Sequence, residues 1–296
     1  MIKATSYFVR GVVSSIILLG NTILWFIPIL FLGLLKLLLP VRPIRAALSN
    51  GLVWCAENWV RVNGLLLDTL LSIRWDIEGV NDLRREEWYL VASNHQTWVD
   101  IPVLQYVFSG RIPFLKFFIK QQLIWVPMMG FAWWALDMPF MRRYSRAQLE
   151  ARPELKGRDL DTTRKACEKF RQQPTSVINF LEGTRFTPEK HAARGSEFDH
   201  LLPPRAGGIA FAISVLGEKF HSLLDVTIFY PGVKPSFWAL LSGRVKRIVV
   251  HVHKLEIPPE MLEGNYMDDP EHRESFQQWI NEIWQEKDKR LSDLHP

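Results

Sequence analysis

Residues Tyr89–Asp100 read YLVASNHQTWVD. The apolar run Tyr89–Ser93 is a short strand that breaks at Asn94 and delivers His95 and Asp100, five positions apart. On one continuous helix, residues five apart diverge by roughly 140° around the axis and do not meet. With His95 at a strand's end and Asp100 opening the next helix, both side chains face one cleft. Pro102 supports that break, because proline is tolerated in the first turn of a helix and not further in. A histidine whose ring is oriented by a carboxylate is a general base for a hydroxyl near neutral pH. Read alone, the pair fits a structural contact as well as a catalytic one, so its company decides.

A hydrophobic content of 48% and ordinary charge density exclude disorder, and 296 residues suffice for a sizeable core. Cys55 and Cys167 fit no metal or redox spacing and point to a reducing compartment without a disulfide framework. The net charge of +5 is unevenly spread: Lys3, Arg10, Lys36, Arg42 and Arg45 all precede Glu57, the first acidic residue. That bias suits an anionic membrane surface better than a nucleic acid, since no basic-aromatic stripe follows.

From Gly11 to Pro40 the chain is apolar apart from small polar residues and Lys36, longer than the ~20 residues that span a bilayer. Asn21 and Pro28 leave two readings open, a single tilted spanning helix or a pair of shorter helices dipping into one leaflet. Residues 1–73 are read as a membrane-anchoring helical region, with 46–73, interrupted by Glu57, Arg61 and Asp68, an interfacial or packed helix. The basic residues after the apolar run place the remainder, 74–296, in the cytoplasm. There, strands alternate with helices, as in an α/β domain with a covered sheet. Residues 145–159 and 187–200 read as polar loops, Asp161–Gln173 and Pro270–Leu294 as amphipathic helices.

A second strand, Thr175–Leu181, ends in Glu182-Gly183-Thr184-Arg185. Ligands of α/β sheets bind beyond the carboxyl ends of strands, so this turn and His95 line one crevice. The turn offers a guanidinium suited to phosphate, a glycine that lets backbone approach closely, and a carboxylate. A base beside an anion clamp, tethered to a membrane, points to chemistry on a hydroxyl of a phosphorylated lipid.

Asn94-His95-Gln96-Thr97-Trp98-Val99-Asp100 matches the NHxxxxD motif of the glycerophospholipid acyltransferases, in particular the 1-acyl-glycerol-3-phosphate acyltransferases. Phe180-Leu181-Glu182-Gly183-Thr184-Arg185 resembles their F-P-E-G-T-R block, with Leu181 replacing the usual proline. Lys120, Leu123, Pro127, Gly130 and Arg143 stand where the family's intermediate block would put them, with Gln121-Gln122 where charged residues are common. Pro203-Pro204-Arg205 and the segment Asp225–Pro231 resemble the lysocardiolipin-type branch. The resemblance runs from about Asp76 to Pro235.

It implies a mixed sheet covered by helices, preceded by the apolar anchor. It implies that His95 deprotonates the sn-2 hydroxyl of lysophosphatidic acid, with Asp100 holding the ring, and that the alkoxide attacks the thioester of acyl-CoA or acyl-acyl carrier protein to give phosphatidic acid. Neither a cofactor nor a metal is implied. Arg185 is the candidate for the acceptor phosphate, with Lys120, Arg143 and Arg205 beside it and Gly183 and Thr184 shaping the turn. Glu182 would bind the glycerol or orient Arg185, and Phe114–Trp134 would suit the acyl chain. The expected partners are a lysophospholipid, the acyl donor and membrane lipids, with no nucleic acid, at a bacterial inner membrane. Rival readings are an acyltransferase on another lysophospholipid, such as lysocardiolipin, a metal-dependent esterase using His95, His251 and His253, and a silent scaffold. His251-Val252-His253 shows no third ligand nearby in sequence.

Overall fold

A computed structural model describes residues 2–141, 168–171, 173–264, 266 and 268–295. Arg143, Cys167, the expected loop over 145–159 and most of the expected helix Asp161–Gln173 lie outside the described residues; of that helix, Glu168–Arg171 form a single 3₁₀ turn.

Two long helices come first, α1 (Ile2–Leu38) and α2 (Arg42–Thr69). α1 is continuous through Pro28, which removes the reading of two shorter helices. The helices run antiparallel, tied by the amide of Asn21, which donates to Asn63 Oδ1 at 2.7 Å and to the Trp59 carbonyl at 3.0 Å. α2 is the packed helix expected there, burying Leu52, Cys55, Val60, Leu66 and Leu67.

A six-stranded sheet follows, built from β1 (Arg74–Glu78), β2 (Tyr89–Ser93), β3 (Leu115–Phe117), β6 (Ser176–Phe180), β7 (Ser222–Phe229) and β8 (Arg247–Glu256) in the order β1-β8-β7-β2-β6-β3. β7, β2, β6 and β3 are mutually parallel, while β8 is antiparallel to β7 and carries β1 parallel to itself. The sheet is therefore mixed, with the buried strand β2 at its centre. The short strands β4 (Ile119–Lys120) and β5 (Phe140–Met141) pair separately.

Side chains alternate across a strand, and both faces are covered. Leu90, Ala92 and Val177 pack under α6 (Gly207–Leu216), the short α8 (Pro259–Glu263) and the C-terminal helix α9 (Pro270–Leu294). Tyr89, Val91 and Ile178 pack under α3 (Asp100–Phe108), α7 (Phe237–Leu241) and the end of α2. The expected loop over 187–200 instead contains a helix, α5 (Pro188–Arg194). Its signals are in the sequence: the Thr187 hydroxyl caps the Lys190 N–H, Pro188 opens the first turn and Gly195 closes it at φ 55°.

The aromatic segment Phe114–Leu136 packs against the helical hairpin, with Phe131 and Trp134 beside Phe26 and Leu32. Within it, α4 (Met129–Ala135) follows the 3₁₀ turn Gln121–Trp125. A Cβ on Gly130 would lie 1.9 Å from the Ile124 carbonyl oxygen, so this closure requires glycine.

Candidate active site

β2 and β6 end side by side, with Ser93 opposite Phe180. This register sets the two polar turns against each other at one end of the sheet, as expected from the sequence. Beyond Ser93, Asn94 continues the pairing with its side chain: its amide donates to the Ile228 carbonyl and accepts from the Ile228 N–H, both at 2.9 Å. The amide thus imitates a strand residue toward β7 and fixes where the chain turns toward His95.

His95 Nδ1 lies 2.8 Å from Asp100 Oδ2. The same oxygen accepts the backbone N–H groups of Gln96 (2.7 Å) and Thr97 (2.9 Å), and Oδ1 accepts the Tyr230 hydroxyl at 2.7 Å. An acceptor set on Oδ2 requires that Nδ1 carry the hydrogen, which leaves Nε2 as the basic nitrogen. Phe180 stacks on the imidazole, with centroids 4.0 Å apart and planes 16° apart. The ring is 12% exposed while Asp100 is fully buried, so one edge of the base is open to a substrate.

Glu182 departs from its expected place at the ligand. It is fully buried, its Oε1 accepting the His95 N–H at 2.7 Å and its Oε2 the Leu202 N–H at 3.2 Å. It clamps backbone and leaves Arg185 to other partners. Burial pushes its carboxyl up to about 8, against the opposing pull of these two N–H groups.

The rest of the turn faces outward. Gly183 sits at φ 65°, a left-handed conformation that costs a residue with a Cβ roughly 1–2 kcal/mol. Thr184 Oγ1 accepts the Lys190 ammonium at 2.9 Å, and that ammonium also reaches the Arg185 carbonyl at 3.0 Å. The Arg185 guanidinium lies over the Trp98 ring, 5.0 Å from its centroid, beside the base loop. The Arg205 N–H donates to the Leu181 carbonyl, and its side chain passes beside Gly183. Lys120 is exposed on β4, in the separate two-stranded pair, and no described contact joins it to His95 or Arg185.

Lys190 was not singled out from the sequence, and Asn94, Phe180 and Tyr230 stood within the quoted motifs without a role of their own. Tyr230 had one signal, a tyrosine directly after a buried strand, but its partner lies 130 positions away.

The esterase set does not assemble. His251 gathers with Asp76 and Glu78 through the parallel pairing of β1 with β8, a cluster that includes neither His95 nor His253. The fold thus gives His251 two carboxylate neighbours in place of His253, and one of them, Asp76, is also paired with Arg247.

The acyltransferase family model matches residues 74–230, just over half of the chain. The chain belongs to the acyltransferase family. Among relatives of this acyltransferase-family chain, 1-acyl-sn-glycerol-3-phosphate acyltransferase delta of Mus musculus is 26% identical over 213 residues, 67% of this chain and 51% of that protein. Lysocardiolipin acyltransferase 1 of Mus musculus is 25% identical over 284 residues, 90% of this chain and 70% of that protein. The gamma acyltransferase of Homo sapiens is 28% identical over 185 residues, 58% of this chain and 44% of that protein. The chain spans about half the length of the first curated relatives it matches. The crystal structure of the 1-acyl-sn-glycerophosphate (LPA) acyltransferase PlsC from Thermotoga maritima shares the fold, with a TM-score of 0.55 at 17% identity, covering 97% of this chain and 98% of that one.

Proposed function

We propose that the chain transfers a fatty acyl group from an acyl thioester to the sn-2 hydroxyl of lysophosphatidic acid. The observation that carries this reading is the His95–Asp100 pair at the sheet's carboxyl end, beside the Arg185 turn. His95 Nε2 takes the hydroxyl proton while Asp100 stabilises the imidazolium. The alkoxide attacks the thioester carbonyl, the tetrahedral intermediate expels the thiolate, and the proton on His95 passes to the sulfur. No acyl-enzyme is needed. The donor is acyl-CoA or acyl carrier protein.

The test is transfer from labelled oleoyl-CoA to lysophosphatidic acid offered alongside other lysophospholipids, with a carrier-protein donor run in parallel and His95→Ala as control. Phosphatidic acid from the wild type alone supports the proposal. Product from lysocardiolipin alone favours the second acceptor, which the match to a lysocardiolipin acyltransferase over 90% of this chain brings into view. No product with either donor sinks it.

The Arg185 guanidinium is assigned to the acceptor phosphate. Arg185→Ala is expected to raise the acceptor KM by about 10–100-fold, as for a lost charge-assisted hydrogen bond of about 1.5–3 kcal/mol, with the donor KM within about twofold. A change confined to the donor KM moves Arg185 to the thioester side.

α1 is long and apolar enough to cross a membrane, but it stays against the domain along its length. Near its start Gly11 meets Trp238 of α7, and toward its end Gly33 meets Phe131 and Lys36 donates to the Ala135 carbonyl at 2.9 Å. These contacts lie about 33 Å apart along the helix axis, so a perpendicular span would draw α4 and α7 into hydrocarbon. We therefore place α1 in the plane of the membrane surface, with Phe8, Ile16, Leu24, Ile27 and Phe31, all exposed, facing lipid. Replacing Leu24, Ile27 and Phe31 with glutamates is expected to release the protein from sedimenting vesicles. Retention at the wild-type level argues against this placement.

A further inference from the structure

We propose that Tyr230 is a positioning residue for the base: its hydroxyl holds the Asp100 carboxylate and thereby sets the proton affinity of the imidazole that this carboxylate orients. Asp100 is fully buried, and among the described residues its ion-pair partner is His95, with no lysine or arginine on it. Its charge is met by hydrogen-bond donors. Oδ2 takes the His95 ring and two backbone N–H groups, and Oδ1 takes Tyr230. Three donors on one oxygen and a single phenol on the other make that phenol the one side-chain lever on Oδ1 among the described contacts.

The hydroxyl can only donate here, since a carboxylate has no proton to give. Burial and the neighbouring Asp100 charge hold the phenol well above its usual range, so it keeps its proton throughout neutral pH. Its placement is built in. Tyr230 directly follows β7, and the end of β7 is tied to the base loop twice, by the Asn94 amide and by Gln96 Nε2, which donates to the Ile228 carbonyl at 3.1 Å. The other titratable group on the pair is Glu182 from the end of β6, clamped to the His95 N–H and itself felt by Lys287 of α9, which pairs with Asp225.

Without the phenol, Oδ1 has no donor, negative charge concentrates on the oxygen facing His95, and the imidazolium is favoured. His95 then holds its proton to higher pH, and less free base is present at neutrality.

The test is Tyr230→Phe, read in two ways. In ¹⁵N-histidine NMR of the full-length protein, with His95→Ala used to assign the signal, the His95 titration midpoint is expected to rise by about 0.5–1 unit. In the acyl-transfer assay kcat at pH 7 is expected to fall roughly 3–10-fold with both KM values within about twofold, and the acid limb of kcat/KM is expected to move up with the NMR midpoint. 3-Fluorotyrosine at position 230, a stronger donor of nearly the same shape, is expected to move both the other way, and it carries the test if the phenylalanine variant does not fold. An unchanged NMR midpoint in the folded variants overturns the proposal. The kinetic part rests on His95 being the base and the NMR part does not. A shifted midpoint beside full turnover in His95→Ala would discard the base and keep the Tyr230–Asp100 link, whereas an unmoved midpoint beside a dead His95→Ala would do the reverse.

Discussion

Asp100→Asn is expected to lower kcat roughly 10²–10⁴-fold, the span over which a positioned base contributes, with KM values and melting temperature close to wild type. The asparagine carbonyl can occupy the Oδ2 position and keep the three donors from His95, Gln96 and Thr97, while its amide donates to the Tyr230 oxygen. The geometry survives and the counter-charge for the imidazolium does not. His95→Ala is expected to fall at least as far, since it removes the proton acceptor itself. Steady-state assays with both substrates near saturation, beside a thermal melt, check the pair. Unchanged turnover in His95→Ala discards the mechanism, and a collapsed melt in Asp100→Asn would make Asp100 a structural residue.

Glu182→Ala is expected to damage both stability and turnover. It leaves the buried N–H groups of His95 and Leu202 without acceptors, at about 1–3 kcal/mol each, and it frees the loop that aims the imidazole. Glu182→Gln is milder and more diagnostic, because it keeps one acceptor and removes the titration. In the wild type the folded state holds the Glu182 proton up to about pH 8, well above the ordinary glutamate value of 4.5. Between those values the folded state binds more protons than the unfolded one, so this group's contribution to stability falls as pH rises from about 4.5 through 8. Denaturant midpoints at pH 5 and pH 8 are expected to lie closer together in Glu182→Gln than in wild type. An equal gap in the two proteins would show that Glu182 titrates normally.

The break between β2 and α3 was legible because a strand-length apolar run, a polar turn and Pro102 all fall within a few residues. The second turn was legible for the same reason. Glu182 was misread because a motif shows a carboxylate next to an arginine and says nothing of which one is buried; the clamp depends on Leu202 and on the register of β6 against β2. The α1–α2 hairpin was half legible: hydropathy marks the apolar run, but continuity through Pro28 and the packing onto α4 and α7 arise from tertiary contact. The acidic neighbours of His251 were invisible for a similar reason, since Glu78 and His251 are 173 positions apart and their register is set only by the sheet.

The Asn94 amide that completes β7 has a consequence in time. It joins positions 134 apart, and β7 is in turn held by α9, where Lys287 pairs with Asp225 at 2.6 Å and donates to the Val226 carbonyl. Contacts of such separation form late, and synthesis delivers the N-terminal part first. On the ribosome, α1 therefore emerges while the base loop still lacks the strand that shapes it. The apolar helix is thus complete before the base loop can close, so on the placement and reaction proposed above, where the chain works is decided ahead of whether it works.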